Sequence, residues 1–334
     1  DYPEIFDRVK SAIAAGQWEL TGATWVEPDT NLTGGESLVR QFLFGTRWAR
    51  TEFGVEMRLL WLPDVFGYSA ALPQIIAKSG IRYFLTSKIS WSQFNRFPHD
   101  TFRWRGLDGT EVLTHFVTTP EAGTPWLTYN AKMRPAEWTG AWEQYRQRDV
   151  NDELLALYGW GDGGGGPTAE MIETALDAEN LPGLPSVEPG HAEPYFARLA
   201  ERVAGESLPV WDGELYLEYH RGTYTSQAQI KRANRRAEIL YHNAEWLSAV
   251  ADVVTGAQGY PAAELNAGWE LILLNQFHDI LPGSSIHAVY EDAAADHERI
   301  AAIGAAAVDC AQSTVAASLA DPNGATTAGS ERGL

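Results

Sequence analysis

Hydrophobic positions in the first 195 residues follow two different periods. Short apolar runs bounded by turn residues predict strands, and apolar positions three or four residues apart predict helices. The predicted strands are Trp18–Leu20, Val55–Trp61, Tyr83–Thr86, Thr101–Arg105, Val112–Phe116 and Leu154–Tyr158. The predicted helices include Tyr2–Ala15, Ser37–Thr51, Ala71–Lys78 and Thr168–Glu179. Such alternation is typical of an α/β fold with a mostly parallel sheet, either a barrel or a doubly wound sheet.

The pattern changes near residue 195. A helix-like segment, Ala192–Ala204, leads into an extended run at Leu208–Tyr219. Long helical patterns follow at Ser226–Val253, Ala262–Asn275 and Ile286–Leu319, and they predict a three-helix bundle. We therefore expect an α/β domain over 1–195, a linker and helix bundle over 196–320, and a mobile linker over 321–334.

Composition narrows the classes of partner. The 334-residue chain has a formal net charge of −19, which argues against nucleic acid and anionic membranes as partners. Its single cysteine, Cys310, excludes an internal disulfide and favours a reducing compartment, so we expect a cytoplasmic protein. No apolar run approaches about 18 residues, so we expect no transmembrane helix. Because Asp1 lies inside a helical pattern, we expect the chain to be part of a longer protein.

Two aspartates follow predicted strands. Asp64 comes after the run that ends at Trp61, and Asp162 follows Leu154–Tyr158 in a loop rich in glycine. In α/β barrels, catalytic side chains lie at such strand ends. Two carboxyl groups roughly 5–5.5 Å apart suit a retaining glycosidase, one as nucleophile and one as general acid. Each aspartate also has a structural explanation, because Asp caps helices and favours turns.

The third candidate is the pair His278–Asp279, which ends a helical pattern and precedes a Pro-Gly turn. Imidazole and carboxylate are both zinc ligands, and the aspartate has a second interpretation as a partner that orients the imidazole. A lone histidine is more often a core or surface residue than a ligand. The glycine-rich loop at 159–167 also suggests phosphate binding, which we disfavour because no Lys stands at P-loop spacing.

These motifs and several longer stretches resemble glycoside hydrolase family 38, the retaining α-mannosidases, and most of all its bacterial, fungal and cytosolic branch. The likeness extends in order over residues 1–310 and includes 16–29, 35–41, 86–91, 95–99, 102–109 and 218–227. It implies a seven-stranded β/α barrel followed by a three-helix bundle. It also implies a divalent metal, zinc or cobalt, that binds the sugar's 2- and 3-hydroxyl groups.

The resemblance assigns roles residue by residue. Asp64 matches the nucleophile, which also ligates the metal, and Asp162 matches the acid/base. His278 matches a further metal ligand, and Asp279 matches an acid that binds the sugar. Phe66 matches the aromatic residue beside the nucleophile.

Three further residues complete the predicted site. Lys88 stands about where the family has a basic residue near the sugar. Trp25 and Trp91 are candidate walls of the pocket, and each is equally explained as a core residue.

One departure from the family concerns the metal. The family carries a His-x-Asp motif on its first strand, which supplies two more ligands, and this chain contains none. We favour truncation, with the first strand and the C-terminal β domains outside this sequence, over a relative that lacks the metal. Residues 1–334 alone are therefore expected to bind metal poorly and to hydrolyse little.

The expected function of the intact protein is hydrolysis of terminal α-mannosides by double displacement. Mannose-containing oligosaccharides are the expected partners, and assembly into a homo-oligomer is left open. Two alternatives remain: hydrolysis of a small conjugate such as mannosylglycerate, and a catalytically dead carbohydrate-binding relative.

Overall fold

The computed structural model of the protein describes residues 2–118, 130–161 and 164–320. The chain divides into two compact units. One comprises residues 1–31 and 38–221, and the other comprises 32–37 and 222–334. The division predicted at residue 195 stays a prediction.

The first unit alternates helices and strands. Its helices are α1 (Pro3–Ala14), α2 (Gly35–Phe53), whose first residues belong to the second unit, α3 (Leu72–Lys78), α4 (Pro135–Gln144), α5 (Ala169–Asp177) and α6 (Ala192–Arg202). Its strands are β1 (Leu59–Trp61), β2 (Gly67–Tyr68), β3 (Tyr83–Thr86), β4 (Thr101–Arg105), β5 (Glu111–Phe116), β6 (Val210–Asp212) and β7 (Leu215–Tyr216).

Five of these strands form one sheet in the order β1-β3-β5-β4-β6. Strands β1, β3 and β5 are parallel, β4 is antiparallel to β5, and β6 is parallel to β4. Strands β2 and β7 form a separate antiparallel pair. This confirms the predicted mixed α/β fold with a sheet rich in parallel strands, and the seven-stranded barrel stays a prediction.

Neighbouring residues of the parallel strands are buried on opposite faces of the sheet. Leu60 and Phe84 belong to one apolar cluster, which also contains Leu72 and Ile76 of α3. Leu59 and Leu85 belong to another, which contains the buried face of α6. Successive strand side chains point to opposite faces, so both faces are covered and most strand positions are apolar.

The predicted elements agree with the structure in part. The bounds of β3 and β4 are those predicted, and β1 is shorter than the predicted Val55–Trp61. The strands predicted at Trp18–Leu20 and Leu154–Tyr158 are wrong. Among the described residues, the backbone near them pairs with other segments through isolated bridges, Gly22 with Leu60 and Tyr158 with Ala131, and forms no ladder there. Apolar sequence alone does not separate such extended segments from strands.

Three helices dominate the second unit: α7 (Ala228–Thr255), α8 (Ala262–Leu274) and α9 (His287–Ala320). They pack against one another, and small residues allow the close approach. A Cβ atom on Gly268 of α8 would lie 1.7 Å from the Tyr241 hydroxyl oxygen of α7. That hydroxyl donates to the Ile300 carbonyl of α9 over 3.1 Å. The three helices predicted here are confirmed. The three-helix bundle that the family resemblance implies stays a prediction.

Helix α9 is also long and apolar enough, by length and composition only, to cross a membrane. It contains an 18-residue window with a mean hydropathy of 1.4. Core helices of soluble proteins meet the same test, so this observation is weak evidence of a membrane span.

Candidate active site

Asp64 and Lys88 meet where two parallel strands end. Asp64 lies three residues after β1, and Lys88 lies two residues after β3, which pairs with β1. The Lys88 Nζ atom is 3.2 Å from Asp64 Oδ1, and the two side chains are only 14% and 25% exposed. The carboxylate predicted as nucleophile is therefore partly shielded from water and carries a positive charge beside it.

The loop that carries Asp64 is fixed by hydrogen bonds to its neighbours. The Pro63 carbonyl accepts from the Lys88 backbone N–H over 3.0 Å and from the Ser87 hydroxyl over 2.7 Å. The buried Tyr68 hydroxyl donates to the Leu62 carbonyl over 2.8 Å. Both residues before Asp64 are thus held, which restricts where its carboxylate can point.

A second carboxyl group, that of Glu27, lies against the backbone of Asp64. Its segment runs beside β1, where Gly22 pairs with Leu60. The Glu27 carboxylate accepts a hydrogen bond from the backbone N–H of Asp64. Burial raises the pKa of Glu27 to about 8, and the charge of Asp64 acts in the same direction, while that hydrogen bond and Lys88 oppose it. Glu27 therefore adjoins Asp64 as a largely protonated acid at neutral pH.

Aromatic rings border this cluster. The Lys88 Nζ atom lies 4.4 Å from the centroid of the Trp91 ring, a cation–π distance. Phe66 makes an edge-to-face contact with His220, with 5.1 Å between ring centroids. His220 has a φ of 30°, in the left-handed region that non-glycine residues seldom occupy. The structure thus brings Trp91 to the Asp64–Lys88 pair and adds His220 beside Phe66.

Trp25 has a different neighbour. Its ring packs edge-to-face on Phe44 of α2, with 6.0 Å between centroids, and its backbone N–H donates to the Gln41 carbonyl over 2.9 Å. These contacts give Trp25 a structural role, and its role as a pocket wall stays a prediction.

Sequence reasoning assigned no role to Glu27 or His220. The available signal for Glu27 is a carboxylate inside the Trp25-Val26-Glu27-Pro28 run, where the neighbouring residues are apolar. No pattern in the sequence predicts that His220 would face Phe66.

Asp162, the predicted acid/base, lies outside the described residues. Described residues on either side of it are paired, since the Trp160 N–H donates to the Gly165 carbonyl over 2.9 Å. Gly159 has a φ of 127°, and a Cβ on Gly161 would lie 2.7 Å from the Asn130 side chain. The backbone conformation therefore favours glycine at position 159, and a side chain at position 161 would displace that of Asn130.

His278 and Asp279 lie in the second unit, in the turn after α8. His278 is 9% exposed, and its ring centroid lies 4.2 Å from that of Phe277. The Asp279 carboxylate accepts from the Ser284 hydroxyl over 2.6 Å, and its backbone carbonyl accepts from the Ser285 hydroxyl over 2.8 Å. The Pro-Gly-Ser-Ser turn thus folds back on Asp279 and fixes the pair.

The predicted metal requires more ligands than these residues supply. Asp64 and His278 have suitable donor atoms, but a catalytic zinc site normally has about three protein ligands. Within residues 2–118, 130–161 and 164–320, no group of three or more His, Cys, Asp or Glu side chains is arranged to hold a metal ion. The described residues therefore fit the metal in donor type and not in number.

Two family models together match most of this chain. The family model described as glycosyl hydrolases family 38 N-terminal domain matches residues 1–214, and that of the alpha mannosidase middle domain matches 218–314. Alpha-mannosidase G of Dictyostelium discoideum is 44% identical over 90% of this chain, and human alpha-mannosidase 2C1 is 42% identical over 97%. The chain spans only 27% and 30% of the length of these relatives.

A solved structure shows the same fold. The crystal structure of an alpha-mannosidase from Enterococcus faecalis V583 has a TM-score of 0.76 and 23% identity to this chain. The match covers 94% of this chain and 36% of that one.

Proposed function

Because this chain belongs to glycoside hydrolase family 38, we propose that the intact protein is a retaining exo-α-mannosidase. Its substrates are terminal α-mannosides of oligosaccharides, and its compartment is the cytoplasm. The observation that carries the proposal is the placement of Asp64. This carboxylate lies at the carboxyl end of a parallel strand, beside Lys88 and a bordering tryptophan.

The proposed reaction has two steps. Asp64 attacks the anomeric carbon and forms a covalent mannosyl-enzyme, while Asp162 donates a proton to the leaving oxygen. Asp162 then accepts a proton from water, which attacks the same carbon and releases mannose with net retention. Lys88 balances the charge of Asp64 in the free enzyme. Glu27, being largely protonated near neutral pH, adds little negative charge next to the nucleophile.

Phe66, Trp91 and Asp279 are the proposed contacts of the sugar, and Trp25 stays a weaker candidate. Asp64 and His278 are the proposed protein ligands of zinc or cobalt within this chain. When bound, such an ion would hold the sugar hydroxyl groups.

The direct test compares Asp64→Asn with the unchanged protein, both expressed from the complete reading frame and assayed on 4-nitrophenyl α-mannoside. Removal of the nucleophile should lower kcat by about a thousandfold or more, because the covalent route is lost. Asp7→Asn, an exposed carboxyl group on α1, is the matched control and should retain the rate. A near-normal rate in Asp64→Asn would disprove the assignment.

Substrate comparison separates the alternatives. Faster turnover of mannosylglycerate than of mannobioses would favour the small-conjugate hydrolase. Binding of mannose without turnover of any α-mannoside would favour the carbohydrate-binding relative.

A further inference from the structure

A cavity in the second unit plays no part in the proposed reaction. Its volume is about 380 Å³, and it lies between α7 and α9. Its polar lining comes from Gln229, Arg232, Arg236 and His297, and Ala233 and Ile300 contribute to its apolar lining. This volume is within the range of pockets that hold small organic ligands.

Two arginines give the cavity its charge. Arg232 and Arg236 are four residues apart on α7, so their side chains lie on the same face of the helix. Both are exposed, and their guanidinium groups are accessible to a ligand. In the part of the chain that the structure describes, ion pairs on α7 and α9 include Arg235 with Glu238, Arg299 with Asp296 and His287 with Glu291, and none includes either cavity arginine.

His297 lies on the opposite wall, on α9. Its Nε2 atom is buried and makes no hydrogen bond to any residue that the structure describes. Burial lowers the pKa of His297, and the nearby Asp296 opposes this shift. The imidazole is therefore mainly neutral near pH 7, and the positive charge of the cavity comes from Arg232 and Arg236.

The lining selects a class of ligand. Guanidinium groups bind phosphate and carboxylate through paired hydrogen bonds, which are stronger than those between neutral groups. A bare anion would leave much of the volume unfilled and would not contact the apolar lining. The chain carries a net charge of −19, so anions are generally repelled, and two adjacent cations that form no ion pair with a described residue are unusual in it.

We propose that this cavity binds a small organic phosphate, with the phosphate group between Arg232 and Arg236 and the organic part against Ala233, Leu240 and Ile300. The site is independent of Asp64 and the other residues of the proposed reaction. It gives the helical unit a ligand-binding function of its own.

The first experiment is isothermal titration calorimetry on the protein expressed from its complete reading frame. The probes are glucose 6-phosphate, glucuronate, inorganic phosphate and glucose. We expect saturable binding of one glucose 6-phosphate per chain, weaker binding of inorganic phosphate and no heat with glucose. Tighter binding of glucuronate than of glucose 6-phosphate would overturn the assignment to phosphate, and no binding of any anion would overturn the site.

Variants then locate the binding. Arg232→Gln and Arg236→Gln should each weaken glucose 6-phosphate binding by about tenfold, since each removes a charge-assisted hydrogen-bonding partner. Arg299→Gln makes the same charge change on exposed α9 and should leave the affinity unchanged. Equal weakening in all three variants would show attraction by overall charge and would refute the site.

A cavity-filling variant tests the organic half of the site. Ala233→Leu retains both arginines and reduces the volume, so it should weaken glucose 6-phosphate binding by more than it weakens inorganic phosphate binding. An equal effect on both probes would contradict the placement of the organic part.

Discussion

His115 should make the stability of the first unit depend on pH. It lies on β5 and is completely buried. Its Nδ1 atom is 2.9 Å from the Thr101 hydroxyl, and its Nε2 atom is 3.2 Å from the Tyr195 hydroxyl. These neighbours are neutral and suit an imidazole that donates from one nitrogen and accepts at the other. Burial lowers the pKa of His115 from 6.5 to about 3, because the charged form loses its hydration.

The direction of the pH dependence follows from proton binding to His115 in the folded and unfolded states. Between pH 6.5 and pH 3, the unfolded chain holds a proton on this imidazole and the folded chain does not. Stability therefore rises with pH through this range, and it is lost as the pH falls. The full effect is about 5 kcal/mol, and about 2 kcal/mol of it falls between pH 7.5 and pH 5.

The assay compares His115→Asn with the unchanged protein by urea unfolding, followed through tryptophan fluorescence at both pH values. Asparagine does not titrate, so the unchanged protein should lose about 2 kcal/mol more than the variant on going to pH 5. Tyr195→Phe is the control, because it alters the same hydrogen-bond network and retains the imidazole; it should lose as much as the unchanged protein. An equal loss of unfolding free energy in His115→Asn and in the unchanged protein would show that His115 does not cause the pH dependence.

Two further predictions concern packing and the ion pair. Gly268→Ala places a Cβ 1.7 Å from the Tyr241 hydroxyl oxygen. This steric overlap should cost about 3 kcal/mol, and the higher helix propensity of alanine should return about 1 kcal/mol. The free energy of unfolding measured in urea should therefore fall by about 2 kcal/mol. Adding Tyr241→Phe to Gly268→Ala should restore part of the lost stability. An unfolding midpoint of Gly268→Ala equal to that of the unchanged protein would contradict the clash. Lys88→Gln removes the partner of Asp64 and should lower kcat/KM on an α-mannoside by about 10- to 100-fold. Lys78→Gln breaks an exposed ion pair and should leave kcat/KM unchanged. Equal kcat/KM values for Lys88→Gln and Lys78→Gln would count against a role for Lys88.

The sequence pattern locates the strand ends that carry Asp64 and Lys88. Both follow short apolar strands, and parallel strands place their carboxyl ends at the same edge of a sheet. The pattern located β3 within its observed bounds and the end of β1 at Trp61. The sequence did not predict the contact itself, because it depends on the pairing of β1 with β3, which the structure supplies.

Other parts of the site could not be read from local patterns. Glu27 reaches the Asp64 backbone from a segment that joins the sheet by isolated bridges, so no strand periodicity marks it. Leu154–Tyr158 has the composition of a strand, yet Leu155 and Leu157 pack against an apolar cluster as an extended segment. Helix α4 was not predicted, although Glu137 caps it at the expected position after Arg134. In each case tertiary contacts decide the structure, and a single sequence does not display them.

The identity of the nucleophile is tested most directly by trapping the covalent intermediate. The protein from the complete reading frame would be incubated with a fluorinated mannosyl fluoride that glycosylates the enzyme faster than water releases it, then digested and sequenced by mass spectrometry. We expect Asp64 to be the nucleophile, with one mannosyl adduct on Asp64 and none in Asp64→Asn. An adduct on another carboxyl group, or turnover with inversion and no adduct, would contradict it.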